Sequence, residues 1–188
     1  MAALTLALMG LNTLVLSSTY EYDEMGRLVA ARTNEGQNVR YAYDAEDRLT
    51  HITDSQNRTT QFAYDPRGRL LLQVDGAGGT TAFTYDVGDR IVSVKDPRGL
   101  ETTYAHDGFG QLWLQSSPDT GVTTHSYDSA GQLLNTTVAD GGVTVYAYDG
   151  LGRLVSKVAD GQLQAISYDW CSWGLGRLCG LSSLDTST

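Results

Sequence analysis

Phe62-Ala63-Tyr64-Asp65-Pro66-Arg67-Gly68-Arg69-Leu70 is the stretch on which the fold is decided. Upstream of it Thr60, Phe62 and Tyr64 stand two apart, and period-two spacing of aromatic and β-branched residues specifies a strand, not a helix. Asp65-Pro66-Arg67-Gly68 then carries the preferences of a type I turn. The Asp side chain bonds the turn backbone, Pro pre-sets φ at the second position, and Gly permits the exit at the fourth. A second apolar run, Leu70 to Val74, follows directly, and Asp75-Gly76-Ala77-Gly78 closes the unit with another turn. The reading is strand, turn, strand, turn, with strands of about six residues.

Working outward, the same unit recurs along the chain. Tyr-Asp pairs stand at Tyr22-Asp23, Tyr43-Asp44, Tyr64-Asp65, Tyr85-Asp86, Tyr127-Asp128 and Tyr148-Asp149, and His106-Asp107 fills the one vacancy. Every step from Tyr22 to Tyr148 is 21 residues or a multiple of it, with no insertion or deletion. Two residues before each tyrosine lie Tyr20, Tyr41, Phe62, Phe83, Tyr104, His125 and Tyr146. Four residues after it come Gly26, Asp47, Gly68, Asp89, Gly110, Gly131 and Gly152. The next column is Arg27, Arg48, Arg69, Arg90, Gln111, Gln132 and Arg153, followed by Leu28, Leu49, Leu70, Ile91, Leu112, Leu133 and Leu154. Pro66, Pro97 and Pro118 all fall in or beside predicted turns, and no stretch has a helical period of useful length. A fixed period of this length is the mark of a repeat architecture. The fold class is all-β, a tandem array of antiparallel hairpins.

Each unit of such an array buries its face only against its neighbours. Fourteen strands, two for each of seven units, at ~4.8 Å spacing give a sheet roughly 65 Å across. That sheet must curl or pack on something to hide its apolar face, so a curved, spiralling arrangement is expected. The formal charge is −9, with 13 basic residues in 188 and no basic cluster. Nucleic acid and other polyanions are therefore excluded as expected partners.

The remaining chemistry-bearing residues offer no active site. The Asp of the Tyr-Asp column returns in every unit at a turn-initiating position, as turn capping requires, with pairing to the Arg four residues on. The aromatic columns fit a packed cross-strand ladder, although a tyrosine face can also stack on a sugar ring. His106 and His125 replace aromatics in their columns, and His51 is isolated. None has a Cys or carboxylate cluster at ligand spacing, so no metal is expected. No Gly-x-Ser-x-Gly elbow and no phosphate-cradling glycine loop occurs. The chain reads as a non-enzyme with no catalytic residue and no cofactor. Cys171 and Cys179 flank a glycine-rich turn. In an oxidising compartment two hairpin arms can bring them into disulfide range, and two free buried thiols are the alternative.

The first 18 residues are apolar, uncharged and outside the repeat columns. They read either as a signal-like leader that lacks a basic n-region, or as one more strand, since Leu14, Leu16, Ser18, Tyr20 and Tyr22 alternate. They are too interrupted, by Gly10 and Asn12, for a spanning helix of ~20 apolar residues. The expected organisation is a leader over 1–18, a repeat array of about eight units over 19–181, and a tail over 182–188.

The unit Phe62-Ala63-Tyr64-Asp65-x-x-Gly68-Arg69-Leu70, with its closing Asp75-x-x-Gly78, resembles the YD repeat of the RHS family. That family spans bacterial RHS and wall-associated proteins, the C component of Tc insecticidal toxins, and the animal teneurins. The resemblance runs from about Thr19 to Leu181. Its last unit, opening at Tyr168-Asp169, has a lengthened turn through Trp170, Cys171 and Trp173 before Gly176-Arg177-Leu178 resumes, and resembles a Cys-flanked variant unit of RHS proteins. It implies a hollow β-shell built from further YD repeats, which in toxin members encloses a C-terminal toxic domain. It also implies a secreted or bacterial cell-surface location. Carbohydrate binding has been linked to such repeats, with Trp113, Trp170 and Trp173 as the stacking candidates here, so a surface adhesion module is the competing reading. The chain departs from the family in being too short to close a shell and in lacking the RHS core and a domain after it, which fits a fragment of a longer protein. Asp96-Pro97-Arg98-Gly99-Leu100 is similar to a stretch near the self-cleavage region of RHS cores, but here it occupies an ordinary second turn.

Overall fold

The computed structural model describes residues 4–7 and 17–185. Among the described residues there are seventeen strands and no helix. The chain divides into two compact units. One runs to Tyr85 and includes Val94–Leu100; the other comprises Asp86–Ser93 and the residues from Glu101 on.

The first unit holds β1 (Leu4–Ala7), β2 (Ser17–Tyr22), β3 (Leu28–Thr33), β4 (Asn38–Tyr43), β5 (Leu49–Thr53), β6 (Thr59–Tyr64), β7 (Leu70–Val74) and β8 (Thr80–Tyr85). Each pairs antiparallel with the next in chain order. Strand β9 (Ile91–Lys95) straddles the division. The second unit holds β10 (Glu101–His106), β11 (Leu112–Ser117), β12 (Gly121–Tyr127), β13 (Leu133–Thr137), β14 (Val143–Tyr148), β15 (Leu154–Ala159), β16 (Gln162–Tyr168) and β17 (Leu178–Asp185), again paired in sequence. The fourteen strands of the seven regular repeats are thus joined by β16 and β17 of the variant repeat and by β1.

Local chemistry explains the hairpins. At the representative turn the Gly68 amide donates to the Asp65 carbonyl at 2.9 Å, and the Asp65 amide donates to the Arg69 carbonyl at 2.9 Å. The Asp65 carboxylate accepts the amides of Arg67 and Arg69 through one oxygen, at 2.8 and 3.0 Å. Gly68 sits at φ +81°, the left-handed conformation that closes a three-residue hairpin loop. Asp47 and Asp89 hold the same position at φ 63°, because Asp is among the few residues other than Gly that tolerate it. Between β15 and β16 the loop shrinks to Asp160-Gly161, both at positive φ, which is the two-residue Asp-Gly hairpin turn.

A bulge recurs at the tyrosine column that the sequence pattern does not reveal. Glu21 faces Ala30 while Tyr22 faces Leu28, so Val29 is left over. The slip repeats at Tyr43, Tyr64, His106, Tyr127, Tyr148 and Tyr168. Such an extra residue bends the strand and increases local twist.

Neither unit has an enclosed core. Among the described residues Ala30 is the sole buried hydrophobic, and no large side chain is fully enclosed. Burial is partial and spread along the strands, as expected where each hairpin is covered only by its neighbours.

One boundary differs from the sequence expectation. Ser182 to Asp185, assigned to a tail, continue β17, because β16 runs back to Gln162 and its whole length needs partners, ending on the pair Gln162 with Asp185. Residues 186–188 lie outside the described residues. So does most of the 1–18 segment, including Leu14 and Leu16; within it Leu4–Ala7 forms β1, pairing Leu4 with Tyr20 and Ala7 with Ser17.

The turn chemistry is testable with two glycines. Gly68→Ala meets nothing closer than the Arg48 side chain at 3.9 Å, so its cost is backbone strain alone. It is expected to destabilise by about 1–2 kcal/mol. Gly150, with open space around it and no left-handed φ, is expected to accept Ala within about 0.5 kcal/mol. Denaturant midpoints of the two variants check both values.

Candidate functional site

The repeat columns converge on one structure, a ladder of side chains along the Tyr-Asp turns. The second carboxylate oxygen of each column Asp faces the Arg four residues on. Asp23–Arg27, Asp44–Arg48, Asp65–Arg69, Asp86–Arg90 and Asp149–Arg153 each show an Nε to Oδ2 distance of 2.7 Å. At Asp23, Asp86 and Asp149 the backbone amide of the paired Arg, helped by its guanidinium, holds the carboxyl below the ordinary aspartate range. At Asp44 and Asp65 burial pushes the other way, and the same two donors outweigh it.

The Arg then crosses to the next repeat. Arg27, Arg48 and Arg69 lie over the rings of Tyr43, Tyr64 and Tyr85 at 4.9, 5.1 and 4.7 Å from the centroids. In that position the cation meets the negative face of the ring. The far end of the guanidinium donates to the carbonyl of the next column Asp, at 3.4 Å from Arg27 to Asp44 and 3.1 Å from Arg48 to Asp65. Each tyrosine hydroxyl in turn donates backwards to the carbonyl of the Leu column. Tyr43 reaches Leu28 at 2.9 Å, Tyr64 reaches Leu49 and Tyr85 reaches Leu70 at 2.8 Å, Tyr127 reaches Leu112 at 2.7 Å, and Tyr148 reaches Leu133 at 3.0 Å. The tyrosines are half-buried within this ladder. Sequence reasoning placed the Asp–Arg pair within a turn but missed its reach to the following tyrosine.

Three consecutive rungs of the ladder, spread over two repeats, are altered. His106 takes the tyrosine position, and its Nδ1 is buried without a hydrogen-bond partner. Arg90 still pairs with Asp86 and reaches the Asp107 carbonyl at 3.4 Å. Gln111, in the same repeat as His106, and Gln132, in the following one, replace Arg. The variant last repeat restores the link: Arg153 lies 4.5 Å from the Tyr168 centroid and donates to the Asp169 carboxylate at 2.6 Å.

Residues 5–169 match the teneurin YD-shell family model. The chain belongs to the YD-shell family. No curated protein sequence matches it. Solved structures share the fold at low identity. TcdB2–TccC3 without its hypervariable C-terminal region aligns at a TM-score of 0.69 and 17% identity, over 84% of this chain and 10% of that one. The Tc holotoxin pore of Photorhabdus luminescens also gives 0.69 and 17%, over 82% of this chain and 10% of that chain. TcdB2–TccC3 gives the same score and identity, over 83% and 10%. The YD-shell segment thus spans about a tenth of the length of these solved chains.

At the last turn of the YD-shell segment Cys171 and Cys179 are joined in a disulfide, with Cα atoms 5.4 Å apart. The bridge ties the base of a loop whose Trp170 and Trp173 are 72% and 93% exposed. Trp113 is 44% exposed and stands in β11, three repeats away from that loop. The structure therefore brings Trp170 and Trp173 into one loop and leaves Trp113 apart. Among the described residues no group of three or more His, Cys, Asp and Glu could hold a metal, and no helix is long and apolar enough to cross a membrane.

Two outcomes follow from the ladder. His106→Tyr supplies a hydroxyl for the Ile91 carbonyl by analogy with the other repeats, and is expected to stabilise by about 0.5–1.5 kcal/mol in denaturant unfolding. The depressed column carboxyls contribute stability that is complete above the ordinary aspartate value of about 3.9 and lost as pH falls through their lower folded values. The melting temperature is therefore expected to hold from neutral pH to about 4 and then to drop steeply; a flat profile down to about pH 2 would refute the role given to these carboxyls.

Proposed function

We propose that this chain is a structural wall segment of an RHS-type YD-shell protein, one stretch of a β-shell that encloses or displays a toxin or effector domain. The observation that carries the reading is the ladder itself. Its recurring geometry spends the Asp, Arg and Tyr side chains of most repeats on joining hairpins to one another, which makes a stiff barrier. The expected partners are further YD repeats and a C-terminal domain of the parent protein. The setting is the cell exterior or surface, where a disulfide such as Cys171–Cys179 persists. The chain acts by enclosure, not by catalysis. The likeness to TcdB2–TccC3 supports this reading at the level of fold.

A second reading, a glycan-binding surface module, rests on the exposure of Trp170 and Trp173. Two experiments separate them. Sequencing the DNA on both sides of the reading frame is expected to find more 21-residue units in frame, followed by an unrelated domain. Stop codons without continuation would reject the wall role. A glycan array with the chain and with Trp173→Ala is expected to show no signal that depends on the tryptophan; a specific glycan lost in that variant would favour the second reading.

A further inference from the structure

The repeats with Gln in the Arg column leave two positions that the rest of the chain shows how to fill. In the intact repeats the guanidinium lies between the carboxylate of its own turn, the face of the next tyrosine and the carbonyl after it. At Gln111 the corresponding surroundings are Asp107, Tyr127 and the Asp128 carbonyl; at Gln132 they are Asp128, Tyr148 and the Asp149 carbonyl.

These groups keep their places without the cation. Asp107 and Asp128 each use one carboxylate oxygen to accept the two turn amides, at 2.8 to 2.9 Å. No cation among the described residues pairs with the other oxygen, and none lies over the Tyr127 or Tyr148 ring. Both hydroxyls remain tied to the backbone. Burial, and then the neighbouring Asp107 carboxylate, raise the Tyr127 phenol above its ordinary value, which agrees with a carboxylate and a ring facing one site with no cation between them. The Gln111 amide reaches over Gly131 as the Arg90 guanidinium reaches over Gly110, 2.8 against 2.9 Å from where a Cβ would stand. It forms no side-chain hydrogen bond there, so displacing it forfeits none. Beside it opens a cleft of about 370 Å³ lined by Phe109, Gln111, Asp128, Ser129, Ala130 and Gly131, with Phe109 94% exposed at its rim.

We infer that these two positions, now held by glutamine amides, bind guanidinium groups supplied from outside the chain, as arginine side chains. The planar fork satisfies a carboxylate and a carbonyl at once while its face lies on the ring, which the point charge of lysine does less well. Successive turns are two strands apart, about 10 Å, so one flexible segment carrying two arginines can engage both positions.

The test is a titration of the 188-residue chain with acetyl-arginine-amide at low ionic strength, followed by NMR of the backbone amides. Saturable shifts are expected at Phe109, Gly110, Ala130 and Gly131. The neutral isostere acetyl-citrulline-amide is expected to bind at least tenfold more weakly, and so is acetyl-arginine-amide to the doubly substituted Gln111→Arg/Gln132→Arg chain, whose sites are filled from within. Equal binding of the citrulline compound, or the absence of saturable shifts in the unaltered chain, overturns the inference even where the double variant fails to fold. An acetylated Arg-Gly-Gly-Arg peptide distinguishes the source. Affinity more than tenfold above the single residue assigns the sites to a partner segment through linked binding, and equal affinity assigns them to a small guanidinium compound.

Discussion

The joining of one repeat to the next depends on the passage of an arginine from its own turn to the tyrosine that follows. A single layer of hairpins has no core to hold it together, and among the described residues no large side chain is fully enclosed. What replaces a core is a set of contacts at fixed offsets. Arg27 meets the Tyr43 ring, its guanidinium meets the Asp44 carbonyl, and the Tyr43 hydroxyl returns to Leu28. Each link joins only adjacent repeats, so stability accumulates by neighbours, in the manner of a one-dimensional array. The same offsets explain why the period is held so strictly. An added residue would carry the tyrosine away from the arginine, and a one-residue slip would turn every strand over.

The carboxylates give this linkage its rigidity. The Asp side chain caps its own turn through one oxygen and orients the Arg through the other, so the guanidinium arrives at the next repeat already aimed. The bulge at Tyr22, Tyr43, Tyr64, Tyr127, Tyr148 and Tyr168 sits beside this contact and adds twist where the strands enter the turn. Turn, bulge and ladder are therefore one device, repeated. The last repeat shows its tolerance. Its spacing from Tyr148 to Tyr168 is 20, one residue short of the period, yet Arg153 still finds the Tyr168 ring. The residue is lost at the opposite end, where Asp160-Gly161 makes the tighter two-residue turn, so the bonded end is spared.

The interruptions are informative for the same reason. His106 and Gln111 fall in one repeat and Gln132 in the next, and the turns around them keep their backbone hydrogen bonds at 2.9 to 3.1 Å. The hairpins are thus specified by the Asp–Gly turn chemistry, and the ladder joins hairpins that already exist. Removing one rung leaves a polar atom without a partner at His106, and at the glutamines leaves carboxylates and ring faces without a cation.

The sequence by itself determined the repeat, the strand and turn order, and the pairing of each Asp with the Arg in its own turn. These features were legible because the interactions that produce them close within four or five residues, and periodicity displays them seven times over. It also limited the cysteines to two states without choosing between them. The tertiary structure decided what depends on register across strands. It brought Arg of one repeat to Tyr of the next, left Val29 and its counterparts as bulged residues, extended β17 through Asp185, joined Cys171 to Cys179, and left Trp170 and Trp173 exposed. A column in a repeat says which residues are equivalent but not which neighbour each one faces, and only the offset between adjacent strands in space fixes that.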